Sequence, residues 1–134
     1  MTSELPVNEA LQIAATAADD KGGIDILALD VSQPLPFVDA FLIVTGRNER
    51  NVIAIAGEIE DRLNEAGFKT KRREGRAGGR WVLVDFGGLV AHVFHEEERS
   101  YYDLEKLWKD CPEIPLDVLV AAESNESSEA LPSA

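Results

Sequence analysis

Arg80-Trp81-Val82-Leu83-Val84-Asp85-Phe86-Gly87-Gly88-Leu89-Val90-Ala91-His92-Val93-Phe94 is two runs of β-branched and aromatic residues joined by a glycine pair. Such a pair between strand-forming runs predicts a two-residue hairpin, because both glycines can take positive φ. Side chains alternate along a strand, so Trp81, Leu83 and Asp85 share one face of the first strand while Val82, Val84 and Phe86 share the other. One face is wholly apolar and belongs to a core. The other sets a tryptophan beside a charge, the composition of an interface anchor, and is the candidate interaction surface.

The flanking sequence builds a domain around this hairpin. Residues 96–108 read as a helix with Glu96, Glu97 and Glu98 in its first turn and Tyr101, Leu104, Leu107 and Trp108 along one side; Cys111-Pro112 ends it. Upstream, the glycine-rich loop 74–79 follows a predicted strand over 68–73. Before that, Asn48 is a helix N-cap, Val52, Ile55, Ala56, Ile59 and Leu63 form one stripe, and Gly67 closes the helix. Residues 40–45 are apolar on both alternating faces, as in a strand covered on both sides. Strand, helix and the strand at 68–73 predict a βαβ unit with a right-handed crossover. Residues 24–31 predict another strand, and 6–20 a helix with an alanine-rich face. The expected order is α-β-β-α-β-β-β-α, a single α/β domain with a mixed sheet of about five strands and flanking helices.

The chain of 134 residues has room for one core. The expected division is a flexible N-terminus at 1–5, the domain at 6–112 and an acidic, largely unstructured tail at 113–134. No apolar run approaches the roughly 18 residues of a membrane span. Glu4 and Glu9 stand where a signal peptide carries positive charge, and the lone Cys111 suits a reducing compartment, so a cytoplasmic protein is expected.

Net charge is −12, which argues against nucleic acid as the main partner. The average hides a division, however. Residues 1–20 hold four acids and no base, and 113–134 hold five acids and no base, leaving 16 acids against 13 bases between them. Within that middle part Lys69, Lys71, Arg72, Arg73, Arg76 and Arg80 are opposed only by Glu74, a local positive patch.

No motif indicates catalysis. His92 and His95 fall on opposite faces of an extended strand, too divergent for one metal. The loop 74–79 is glycine-rich and basic but lacks the Lys-Ser/Thr ending and following helix of a phosphate loop. Ser32 and Ser100 lie in no nucleophile elbow, and Cys111 has no sequence sign of an activating partner. The turn Thr45-Gly46-Arg47-Asn48 offers amide groups to an anion, as strand-to-helix turns generally do. A binding module is expected, with no catalytic residues, no metal and no cofactor.

Arg80 to Gly87, then His92-Val93-Phe94, then Arg99-Ser100-Tyr101-Tyr102-Asp103-Leu104-Glu105-Lys106-Leu107-Trp108 together resemble the signature of the ribosomal silencing factor, or Iojap-like, family. Asp25-Ile26, Leu29-Asp30-Val31, Asp39, Thr45-Gly46 and Glu74-Gly75 agree, so the resemblance spans about residues 7–110. It implies a nucleotidyltransferase-like fold without catalytic apparatus, and binding to the large ribosomal subunit through its protein L-fourteen at the intersubunit face. Such binding would block small-subunit association and reduce translation when nutrients are short; organelle relatives would act in large-subunit assembly. Gly88 departs from the acid that many members place there, so no binding role is carried to it. Asn48 replaces a common Ser with an equivalent cap.

Trp81, Leu83, Asp85, Tyr101, Tyr102 and Trp108 are expected to lie in the partner surface or directly support it, with core packing the alternative for Trp81 and the favoured one for Trp108; Arg72, Arg73 and Arg76 are the expected ribosomal RNA contacts, and a homodimer is expected in the free state. Two rivals are an RNA-binding assembly adaptor acting through residues 69–80 and a nucleotidyltransferase that retains activity. The second would need closely spaced carboxylates for Mg²⁺, and no Asp-x-Asp lies near the Thr45 turn.

Overall fold

The structure is a computed structural model that describes residues 4–102 and 109–116, with side chains for 7–99 and 109–116. Its elements are α1 (Glu4–Asp20), β1 (Ile24–Asp30), β2 (Ala40–Gly46), α2 (Glu49–Glu65), β3 (Arg72–Glu74), β4 (Trp81–Asp85), β5 (Leu89–His95) and α3 (Glu96–Tyr102). Of the expected third helix, residues 103–108 lie outside the described residues.

The five strands form one mixed sheet in the order β1-β2-β5-β4-β3. β2 and β5 occupy its centre and run parallel, while the other pairings are antiparallel. Every residue of these two central strands is buried, which requires cover on both faces. Helices α1 and α2 supply it on one side. Ala10, Leu11, Ala14 and Ala18 of α1 and Val52, Ile55, Ile59 and Leu63 of α2 meet Leu42, Val44, Val82, Val84, Ala91 and Val93 of the sheet. Each large aliphatic chain buried there contributes about 1.5–3 kcal/mol, and the alanines let α1 lie close. On the opposite side Leu29, Val31, Phe41, Ile43, Val90 and Phe94 form a smaller cluster, against which Leu35, Val38 and Cys111 pack.

Three expectations are corrected. The strand expected at 68–73 is confined to Arg72–Glu74, and β2's parallel neighbour is β5. β3 is parallel to β2 but separated from it by two strands, so α2 carries the chain over β5 and β4 to the sheet edge. The domain does not end at 112: Asp30 N–H donates to the Pro112 carbonyl, Ile114 N–H to the Ala28 carbonyl, and Leu116 is 2% exposed. Residues 112–114 therefore cover the β1 edge, which would otherwise present unpaired backbone groups. In the hairpin turn only Gly87 has positive φ, the pattern of a type II′ turn.

Local chemistry sets the bounds of α2. Asn48 Oδ1 accepts from the Asn51 N–H at 2.8 Å, and Asn51 Oδ1 accepts from the Arg47 N–H at 2.9 Å, a reciprocal cap. At the other end the Gly67 N–H reaches the Asn64 carbonyl and the Phe68 N–H the Leu63 carbonyl, the paired bonds of a Schellman motif. Replacing Asn48 by Ala should lower unfolding stability by about 1 kcal/mol, and Asn48→Ser should restore most of it, both read from urea midpoints.

Candidate functional site

The register of the hairpin decides which side chains meet. A two-residue turn pairs Asp85 with Val90, Leu83 with His92 and Trp81 with Phe94, as observed. Beyond β4, Arg72 stands opposite Asp85 and Glu74 opposite Leu83. Directly paired residues share a face, so the side of the sheet away from α1 and α2 carries Trp81, Leu83, Asp85, His92, Phe94, Arg72 and Glu74.

Along β4, Trp81, Leu83 and Asp85 are half-buried while Val82 and Val84 are buried. This is the alternation that the sequence predicts. The Trp81 ring stacks on Phe94 with centroids 4.7 Å apart, and its Nε1–H donates to His92 Nδ1 at 3.2 Å. Asp85 has one oxygen in the hairpin, where Oδ1 accepts from the Gly87 N–H at 2.8 Å; its Oδ2 lies 3.9 Å from Arg72 Nη2. A shallow open depression of about 320 Å³ is lined by Glu74, Gly75, Trp81 and Leu83. Where the loop after β1 brings Leu35 and Val38 onto this same side of the sheet, Phe37 between them is 88% exposed. Sequence reading passed over Phe37, because an isolated aromatic beside prolines carries no periodic signal.

The six bases between Lys69 and Arg80 do not form one patch. Arg73 faces the helix side, opposite Val84, and its guanidinium grips Glu60 of α2, with Nε 3.1 and 2.9 Å from the two carboxylate oxygens. Arg80 ties three elements together, donating to Glu49 at 3.0 Å, Glu97 at 2.8 Å and Glu98 at 3.0 Å. Two of the acids expected only to favour the α3 dipole are therefore ligands of Arg80. Lys69, Lys71, Arg72 and Arg76 stay exposed along the β3 edge and its loop. Of the RNA contacts expected from the sequence, Arg72, Arg73 and Arg76 are all exposed, and Arg73 is also tied to Glu60.

The Arg73 hydrogen bond is the main reason the Glu60 carboxyl is held below its ordinary value, with burial opposing. A carboxylate with a lowered folded pKa stabilises the fold above the unfolded value, near 4.5, and loses that contribution as pH falls through the folded one. Glu60→Gln should therefore narrow the stability difference between pH 6 and pH 3.5, measured by urea unfolding at each pH.

His92 and His95 engage separate partners: His95 Nδ1 accepts from the Glu97 N–H at 3.1 Å, and His92 Nδ1 from Trp81. At the Thr45 turn, Arg47 Nη1 donates to the Gly22 carbonyl at 2.9 Å and Arg99 Nη1 to Thr45 Oγ1 at 2.6 Å, so side chains of this chain already brace it. Among the described residues no group of three or more His, Cys, Asp or Glu is placed to hold a metal ion. No helix there is long and apolar enough to cross a membrane. Tyr101 and Tyr102 fall on the last residues of α3, where the backbone alone is described, and Trp108 lies outside the described residues.

Comparison with known proteins gives concordant matches. A family model described as "Ribosomal silencing factor during starvation" matches residues 4–133. The chain is 53% identical over 107 residues to "Ribosomal silencing factor RsfS" of Bacillus subtilis, covering 80% of this chain and 91% of that protein. It is 44% identical over 113 residues to the protein of the same name from Halalkalibacterium halodurans, covering 84% and 97%. A crystal structure of a Bacillus halodurans protein superposes with a TM-score of 0.72 at 45% identity, covering 81% of this chain and 98% of the other.

Proposed function

Because the chain belongs to the ribosomal silencing factor family, we propose that it binds the large ribosomal subunit through ribosomal protein L-fourteen and blocks association with the small subunit, repressing translation under nutrient limitation. The observation that carries this reading is the row Trp81, Leu83 and Asp85, half-exposed on the side of the sheet that α1 and α2 leave free. An aromatic, an aliphatic and an acid in one line provide an anchor, apolar area and a charge to orient a protein partner. Tyr101, Tyr102 and Trp108 belong to the same proposed surface or support it.

Steric exclusion calls for contact area and no bond-breaking step. A total buried area of upwards of about 1,000 Å² is enough for a specific complex. Exposed Arg72 and Arg73 on β3 and Arg76 in the loop after it favour an accompanying contact with ribosomal RNA. With Lys69 and Lys71 they also support a second reading, an RNA-binding adaptor in large-subunit assembly. In the free protein, acting in the cytoplasm, the same face is proposed to pair with a second copy, which sedimentation at micromolar concentration tests.

The deciding experiment mixes the purified protein with separated subunits on a sucrose gradient. Co-migration with the large subunit and a loss of joined ribosomes are expected. Migration with the small subunit, or with neither, would sink the proposal. Binding to naked RNA that falls steeply with salt, without inhibition of joining, would favour the adaptor.

A further inference from the structure

Trp81 is half-exposed, yet its indole N–H turns inward to His92 Nδ1. His92 is 6% exposed and lies among aromatic rings, edge-on to Phe41 at 4.6 Å between centroids and 6.2 Å from Phe94. With Nδ1 accepting, the neutral ring carries its proton on Nε2. Nε2 is buried and, among the described residues, is the one buried side-chain nitrogen or oxygen with no hydrogen-bond partner.

A buried donor left unpaired destabilises a fold; leucine would occupy similar space without that donor, and the indole N–H of the partly exposed Trp81 can then turn to water. Packing alone therefore gives no reason for an imidazole at the centre of this sheet. What leucine cannot provide is an acceptor beneath the Trp81 indole. We propose that His92 is a positioning residue for the partner surface: its Nδ1 fixes the orientation in which Trp81 is presented, and the orphaned Nε2 is the stability cost of that role. This inference rests on the reading of the Trp81 face as the ribosome-binding surface. Burial also pushes the His92 pKa down to about 4, so at neutral pH the ring keeps the lone pair that the indole needs. Sites that break a local rule of stability in this way are where function is expected to reside.

The test combines thermal unfolding with large-subunit pelleting of the full chain carrying His92→Leu, His92→Gln, Trp81→Ala, Trp81→Phe, or Trp81→Phe with His92→Leu. His92→Leu should unfold at the wild-type temperature or above it, yet bind about three- to tenfold more weakly, because an unfixed indole must be ordered on binding. His92→Gln, whose amide oxygen can accept from the indole, should recover most of the loss. With Trp81→Phe, which has no N–H to place, adding His92→Leu should change affinity less than about twofold. In the wild-type protein, the Trp81 Nε1 proton should exchange with solvent more slowly than that of a free indole.

If His92→Leu binds like wild type while Trp81→Ala does not, the positioning role falls and the surface reading stands. If Trp81→Ala binds like wild type, both fall. A parallel loss of stability and affinity in His92→Leu and His92→Gln would mark a purely structural residue and overturn the proposal. Should His92→Leu fail to fold, fast exchange of the wild-type indole proton would overturn it equally.

Discussion

Trp81→Ala is expected to weaken retention on the large subunit by about 30-fold or more while the protein stays folded. Buried aromatic anchors at the centre of an interface cost about 2 kcal/mol or more when truncated, and each 1.4 kcal/mol is a factor of ten. Trp81 has the features of such an anchor: it is half-exposed, stacked on Phe94, and held by a hydrogen bond from its own indole. Because part of the ring already faces solvent, its removal should cost the fold less than the truncation of a fully buried tryptophan, which runs to about 3–5 kcal/mol. Asp85 calls for a finer pair of variants, since its Oδ1 also closes the hairpin through the Gly87 N–H. Asp85→Asn can keep that acceptor and removes only the charge, whereas Asp85→Ala removes both. A charge-mediated contact predicts weakened binding in both variants; a turn effect predicts it in Asp85→Ala alone. Wild-type pelleting by a folded Trp81→Ala, Asp85→Ala double variant would refute the surface assignment.

What the sequence makes legible is whatever local chemistry determines. Helix α2 is readable at both ends because Asn48 and Gly67 act within a few residues of themselves, and the β4–β5 hairpin because a glycine pair selects its turn. The turn length also fixes the register, so the meeting of Trp81 with Phe94 and His92 was available to anyone counting outward from Gly87-Gly88. The placing of β3 was not. Strand alternation identifies a strand but says nothing of which neighbour it joins, and here α2 leads across two strands before β3 is laid down. The basic run misled for a related reason. Glu60 is 13 residues from Arg73 and Glu49 is 31 from Arg80, so their pairings exist only once α2 has docked on the sheet. Cations that look like one patch in sequence become two structural ties and an exposed remainder along the β3 edge.

The remaining large effect lies in the loop between β3 and β4, where Gly75→Ala should lower stability by about 2–4 kcal/mol and the melting temperature by about 10 °C or more. Gly75 has φ +82°, a conformation that costs a residue with a Cβ roughly 1–2 kcal/mol. A Cβ there would also run into the backbone carbonyl oxygen of Trp81, which cannot swing aside as a side-chain tip could. To make room, the start of β4 must shift, carrying Trp81 off Phe94 and His92. Gly75→Ala should therefore weaken large-subunit retention even at temperatures where the variant is fully folded, coupling loop geometry to the proposed binding face. Gly78, three residues along the same loop, provides the control. A Cβ added to it meets nothing within 4 Å and its φ is not positive, so Gly78→Ala should stay within about 0.5 kcal/mol of wild type and bind normally. If the two variants melt and pellet alike, the close approach of Gly75 to Trp81 does not set the position of β4.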